Sequence, residues 1–177
     1  ILEFVPGMVV TQHSGTGKAN QYFLRGFNLD HGTDFATYID GMPVNMRTHG
    51  HGQGYTDLNF IIPETIKKMT YKKGSYYADV GDFSGAGSAA FETSNIVDKG
   101  TAEITGGKNN FLRAVAIDSF AMNDANVLLA FEVNNNDGPW TDIKEKLKKY
   151  NGLLKYSYPV NDGIFSWTFM AYSNQWN

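Results

Sequence analysis

The 177-residue chain is 42% hydrophobic, 14% aromatic and 19% charged, with a net charge of −3. It has ample apolar surface for a core, which excludes a disordered polymer, and its slightly acidic balance offers no footprint for nucleic acid. It has no cysteine, hence no disulfide framework, thiolate metal site or cysteine nucleophile, and no apolar run reaches the roughly 18 residues of a membrane helix, although a β-barrel stays open because its strands alternate and its lumen is polar.

Residues 1–94 read as short strands and loops with one helical turn. Met8-Val9-Val10 is a brief strand leading into the polar loop Thr11–Asn20. Gln21–Phe27 and Phe35–Ile39 are strand-like, with a loop over Asn28–Asp34, and Asp40-Gly41 is a turn signal. Pro63-Glu64-Thr65-Ile66 starts a short helix, since proline suits an early helical position. Met69–Lys73 alternates as a strand, and Asp79–Ser88 is a glycine-rich loop. The expectation is a small sheet that includes Gln21–Phe27, Phe35–Ile39 and Met69–Lys73.

Composition shifts near Asn95–Gly100, and the pattern becomes a series of longer strands. In Ala125–Asn134 the residues Val127, Leu129 and Phe131 share one face, and Glu132 takes the other. Tyr150–Tyr158 sets Leu154, Tyr156 and Tyr158 against Asn151, Lys155 and Ser157, and Gly163–Ser173 puts Phe165, Trp167 and Phe169 on one face. Alternation over stretches of about ten residues marks strands of a membrane barrel, and also of a soluble sandwich. The aromatic faces favour the barrel, as does the contrast between short breaks and the long charged break Asn135–Lys149. On this pattern Leu129→Arg impairs assembly and Glu132→Arg is milder.

Four segments in the first half carry a resemblance when taken in order: Phe4-Val5-Pro6-Gly7; Leu24-Arg25-Gly26-Phe27; Tyr38-Ile39-Asp40-Gly41-Met42-Pro43-Val44; and Ile62-Pro63-Glu64-Thr65-Ile66 running on to Lys73-Gly74-Ser75-Tyr76-Tyr77-Ala78. Together they resemble the plug domain of TonB-dependent outer-membrane receptors. The resemblance implies a mixed α/β plug domain over residues 1–94, followed over 95–177 by the first antiparallel strands of a large transmembrane β-barrel. It implies a non-enzymatic receptor in the outer membrane of a Gram-negative bacterium. Such a receptor takes up a scarce nutrient: a metal chelate, siderophore, haem or metal ion. Its partners are that cargo, outer-membrane lipid and a TonB-type periplasmic energy-coupling protein. A plugged barrel has about 22 strands, and residues 97–177 hold about five at about ten residues each. The chain is therefore read as a fragment, without the segment that would carry the partner-binding box. Ile1-Leu2-Glu3 lacks the cationic start and apolar core of a signal peptide.

The resemblance also implies an ionic lock between plug and barrel carboxylates, with Arg25 as one cation. The family's second arginine is replaced by Lys73, which cannot make arginine's bidentate fork. Asp40-Gly41-Met42-Pro43 is read as a structural turn. Gly15-Thr16-Gly17-Lys18-Ala19 lacks the Ser/Thr of a P-loop, and Gly85–Ala90 matches a dinucleotide fingerprint without a βαβ unit around it. Both are read as plug turns.

The four histidines are the main functional lead. His49-Gly50-His51-Gly52-Gln53-Gly54-Tyr55 is a His-x-His in a glycine-rich loop, and His13 and His31 each lie in another polar loop. Family plugs present such loops at their outward apex. His13, His31, Arg47, His49, His51 and Tyr55 are thus candidate cargo contacts, with His49 and His51 as candidate metal ligands. Neutral imidazole suits Zn, Cu, Ni or iron, and Asp30 or Asp34 could add a carboxylate. No catalytic residues and no resident cofactor are expected. Two other classes compete: a β-rich His-metal hydrolase, for which Glu64 is the nearest water-activating carboxylate, and a soluble glycan-binding sandwich using Trp140, Trp167 and Trp176.

Overall fold

A computed structural model describes residues 1–12 and 15–177, so His13 lies outside the described residues. Among the described residues there are twelve strands: β1 (Met8–Thr11), β2 (Gln21–Leu24), β3 (Phe27–Asn28), β4 (Phe35–Ile39), β5 (Met42–Pro43), β6 (Ile66–Lys73), β7 (Gly87–Thr93), β8 (Thr101–Gly106), β9 (Leu112–Met122), β10 (Ala125–Asn136), β11 (Leu147–Val160) and β12 (Gly163–Gln175). The chain divides into two compact units. One comprises residues 1–14, 18–59 and 66–93; the other comprises 15–17, 60–65 and 94–177.

The first unit carries two sheets where one was expected. β1-β2-β3 is antiparallel, and a separate four-stranded sheet runs β5-β4-β7-β6. β2 therefore does not join β4 and β6. The expected strand Gln21–Phe27 breaks inside its own motif, because Arg25 (φ 51°) and Gly26 (φ 83°) form a left-handed two-residue turn. That geometry matches the twist of a hairpin. Asp40 (φ 47°) and Gly41 (φ 82°) make a second such turn between β4 and β5. The Asp40 carboxylate accepts hydrogen bonds from the Thr93 amide (2.8 Å) and hydroxyl (2.5 Å), so this turn is structural.

β7 begins in the last two residues, Gly87 and Ser88, of the stretch read as a glycine-rich loop. It lies between β4, to which it is parallel, and β6, to which it is antiparallel. Its small residues Gly87, Ser88, Ala89 and Ala90 suit that central place. A Cβ at Gly87 would stand 2.3 Å from the Lys72 carbonyl, so only glycine fits.

Among the described residues there is no α-helix, only 3-10 turns at Leu2–Phe4 and Pro63–Thr65. The expected mixed α/β plug is thus almost entirely β. At Pro63 the Thr65 amide and hydroxyl both bond the Ile62 carbonyl, closing one turn. The β-branched Ile66 then opens β6.

The second unit is one antiparallel sheet in the order β12-β11-β10-β9-β8, open rather than closed into a barrel. Its alternation follows the sequence. On one face Leu128, Ala130, Val115, Ile117 and Leu153 form a core with Ile62. On the other, Leu129, Phe131, Phe165, Trp167 and Phe169 stand exposed. Val127 belongs to that outer face but is only 8% exposed. Phe120 and Tyr156 are its direct cross-strand neighbours, and their rings are large enough to shield it.

Glu132 lies opposite Leu129, as the pattern requires, but not in an open polar lumen: it is 1% exposed. Its carboxylate receives Arg113 Nε at 2.6 Å, Lys149 Nζ at 3.2 Å and Asn151 Nδ2 at 2.7 Å. The expected mildness of Glu132→Arg is therefore overturned, since a third cation there would face Arg113 and Lys149.

Candidate functional site

The loops after β3 and β5 bring together residues far apart in sequence. The loop 28–34 and the loop 44–57 run against each other through main-chain bonds: Thr56 N–H to the His31 carbonyl (2.7 Å), Met46 N–H to the Tyr55 carbonyl (2.9 Å) and Gly54 N–H to the Met46 carbonyl (2.7 Å). Asn45 ties both loops to β4. Its Nδ2 donates toward the carbonyls of Gly32 (3.1 Å), Phe35 (3.0 Å) and Gly54 (3.0 Å), and its Oδ1 accepts the Thr37 N–H at 2.7 Å. Gly54 has φ 83°, and a Cβ there would meet the Phe83 ring at 2.6 Å. The tight approach needs glycine.

Within this frame His31, His49, His51 and Tyr55 form an aromatic cluster. The His49 ring stacks on Tyr55 at 4.0 Å and 10°, and the His51 ring meets His31 edge-on at 4.5 Å. His31 is fully buried, and its Nδ1 lies 3.1 Å from the Asn20 carbonyl. Burial holds its pKa below the ordinary histidine value. Burial, helped by the Asp57 charge, raises the Tyr55 phenol, so both groups are neutral near pH 7. Asp30 stands beside them: Oδ2 is 3.1 Å from His51 Nε2, and Oδ1 is 3.6 Å from His31 Nε2.

Among the described residues, Asp30, His31 and His51 are the group whose potential ligand atoms converge, all within 4.8 Å of one another. His49 takes another part: its Nδ1 accepts the His51 amide at 3.0 Å while its ring covers Tyr55. Arg47 is exposed and pairs with Asp82 at 3.5 Å. The sequence offered Asp30 as a possible ligand, but Asn45 carried no signal; its role emerges only once three carbonyls surround it.

Of the two lock residues, Arg25 sits exposed in the β2–β3 turn. Lys73 Nζ points toward the Pro6 carbonyl at 3.4 Å and the Tyr71 ring at 6.0 Å. Among the described residues neither ion-pairs with a carboxylate. The arginine–carboxylate fork is made elsewhere: Arg113 on β9 grips Glu64 through Nη1–Oε1 (2.6 Å) and Nη2–Oε2 (2.8 Å). These hydrogen bonds hold the Glu64 carboxyl below its ordinary range. Glu64 is thus committed to Arg113, which removes the base that the hydrolase reading required.

The P-loop-like segment binds a carboxylate, not a phosphate. Thr16 donates its amide (2.9 Å) and hydroxyl (2.5 Å) to Glu145. Trp176 packs so close to Gly17 that a Cβ would lie 2.4 Å from its ring. That employment of Trp176, and a single sheet with a bare aromatic face, speak against the glycan-binding sandwich.

Residues 1–88 match the TonB-dependent receptor plug domain family. Solved structures similar to the chain include the copper transporter OprC, at 19% identity and a TM-score of 0.72, covering 99% of this chain and 28% of that one. The FrpB iron transporter from Neisseria meningitidis (F3-3 variant) is 17% identical with a TM-score of 0.74, covering 98% of this chain and 28% of its own. The pyoverdine outer-membrane receptor FpvA from Pseudomonas aeruginosa PAO1 is 16% identical with a TM-score of 0.69, covering 96% and 24%. At these identities the likeness is one of fold, and the chain spans about a quarter of each of these proteins. The chain belongs to the TonB-dependent receptors, a non-enzymatic transporter family of the Gram-negative outer membrane, and residues 1–88 are its plug domain.

Proposed function

We propose that this chain is the plug, residues 1–94, and the first barrel strands, residues 95–177, of an outer-membrane receptor for energy-coupled nutrient uptake. The observation that carries the reading is the continuity of a family-matched plug with a five-stranded sheet whose outer face is bare and aromatic. A sheet with that face is stable where lipid covers it. Its edges call for further strands to close the barrel, since an open edge in lipid leaves backbone groups unpaired.

Cargo docks on the loop cluster of His31, His49, His51 and Tyr55, with Arg47 and His13 as further contacts. The cargo class is a metal ion or metal chelate, because imidazole and carboxylate are the groups presented there. A TonB-type periplasmic partner supplies the energy that moves the plug, and Arg25 and Lys73 belong to the contacts that hold it. The test is uptake of radiolabelled metal by cells with and without the receptor gene. Receptor-dependent uptake that stops when the proton-motive force is dissipated supports the reading. Uptake that survives an uncoupler, or equal uptake without the gene, sinks it.

A further inference from the structure

We propose that Asp30, His31 and His51 form a binding site for a free divalent transition-metal ion of imidazole preference, such as Zn2+, Cu2+ or Ni2+. The assignment rests on the cargo-docking reading and gives it a chemical class.

The argument starts at His31. The Asn20 carbonyl can only accept, so the contact at 3.1 Å fixes the proton on Nδ1. Nε2 is then the lone-pair nitrogen, and it faces Asp30 Oδ1 at 3.6 Å. Two lone-pair atoms cannot hydrogen-bond to each other, and their separation suits a bridging cation. Metal-ligating histidines commonly give their other ring N–H to a backbone carbonyl, which orients the ring and raises its basicity. Here that supporting contact is built from a residue with no solvent exposure.

The third ligand comes from the second loop. His51 Nε2 stands 3.1 Å from the other oxygen of the same carboxylate. Tetrahedral coordination with bonds of about 2.0–2.1 Å places neighbouring ligand atoms about 3.3–3.4 Å apart. The two Asp30 separations run to different oxygens, 3.6 Å from His31 to one and 3.1 Å from His51 to the other, and each lies close to that value. The widest separation, at most 4.8 Å, closes with a shift of about 1 Å in His51. Gly50 beside it has no heavy atom within 4 Å of a Cβ position, so the loop has room to move. On binding, the proton that His51 Nε2 shares with Asp30 passes to Nδ1, and Nε2 becomes a ligand.

Two imidazoles and one carboxylate select against Mg2+ and Ca2+, which take oxygen ligands. Three protein ligands leave a coordination position open, and Asp30 and His51 are both partly exposed, 40% and 35% at their side chains. A structural zinc site is closed by four ligands; an open one exchanges its ion. Exchange suits a cargo that must be released.

The test is titration calorimetry of the intact receptor in detergent with Zn2+ and Cu2+ as probes. The expected result is one saturable ion per receptor, with affinity reduced at least about tenfold in Asp30→Asn and in His51→Ala. Glu92→Gln, an exposed carboxylate paired with Lys67 and Lys68, retains wild-type affinity. Thermal unfolding of each variant verifies folding, and both ligand positions are exposed enough to tolerate the change. If no saturable ion binds, or if both ligand variants bind as the wild type does, the proposal is overturned. Energy-dependent uptake without metal binding sinks this assignment alone. Tight metal binding without receptor-dependent uptake sinks the transport reading and leaves the metal site standing.

Discussion

Arg113 holds Glu64 through two parallel hydrogen bonds, of 2.6 and 2.8 Å, while its Nε reaches Glu132 at 2.6 Å. One guanidinium thus fastens a turn of the plug-matched sequence to a strand of the long sheet. Removing it leaves the buried Glu132 with Lys149 and Asn151 as partners. Arg113→Met should destabilise the protein by about 3 kcal/mol, at the low end for breaking a buried pair because those partners remain. Arg113→Lys should recover only part of this, since an ammonium cannot serve both oxygens of Glu64 and also Glu132. Equal unfolding midpoints for Arg113→Met and the wild type would remove the fork from the stability of the fold.

The same pair sets a pH dependence. The Arg113 hydrogen bonds, the largest influence, lower the Glu64 pKa from its ordinary 4.5, against an opposing effect of burial. A carboxyl with a depressed folded pKa stabilises the protein above its unfolded value. That contribution is lost as the pH falls through the folded value. Glu64 is partly exposed, so the effect is modest, about 1 kcal/mol or less. Unfolding of Glu64→Gln and wild type should therefore differ most at neutral pH and converge once the pH drops well below about 4.5. A gap that widens on acidification would reverse the sign and refute the assignment.

The outer face of the sheet gives a third expectation. Phe169 pairs with Leu154, and neither has an acidic neighbour directly across. Phe169→Arg should cost about 2–4 kcal/mol if this face meets the middle of a bilayer. Leu129→Arg should be milder, because Asp118 stands directly opposite on β9 and can pair with the new cation. Ser166→Arg, on the other face of β12, should assemble normally. Heat-modifiable mobility of the folded barrel on gels measures all three; equal assembly of Phe169→Arg and Ser166→Arg would count against lipid at this face.

The strands of the second half were legible because one period-two pattern decides both their existence and their faces. β10, β11 and β12 each extend only a few residues beyond the alternating stretch. The plug was legible by motif and less so by element. β7 has the small residues of a loop, and only its place between two strands explains them. The helix expected at Pro63 fails because a single turn is closed by Thr65 and a β-branched residue follows. At the site, histidine and tyrosine announced themselves, whereas the division of labour between His49 and His51 did not. It depends on which ring the loop turns toward Asp30, and that follows from backbone geometry. Glu132 looked like ordinary polar alternation, and Arg113 gave no signal, since its pairing with Glu64 across 49 residues has no local signature.

Asn45 gives the last expectation, because it holds the candidate site without touching cargo-facing atoms. Its amide spans the carbonyls of Gly32, beside His31, and Gly54, beside Tyr55, while its oxygen takes the Thr37 amide. Asn45→Ala leaves those main-chain groups without their side-chain partner, and such a loss amounts to about 1–3 kcal/mol. Asn45→Asp should be worse, since a carboxylate would face three carbonyl oxygens where a donor is needed. The loss should be local. Hydrogen exchange should quicken at the amides of Thr37 and Thr56, while amides that pair β6 with β7 keep their protection. Zinc affinity should fall together with that protection, because Asp30 and His31 lie in one loop and His51 in the other. Unchanged exchange at Thr37 in Asn45→Ala would show that the main-chain bonds alone hold the loops, and that Asn45 is not their pin.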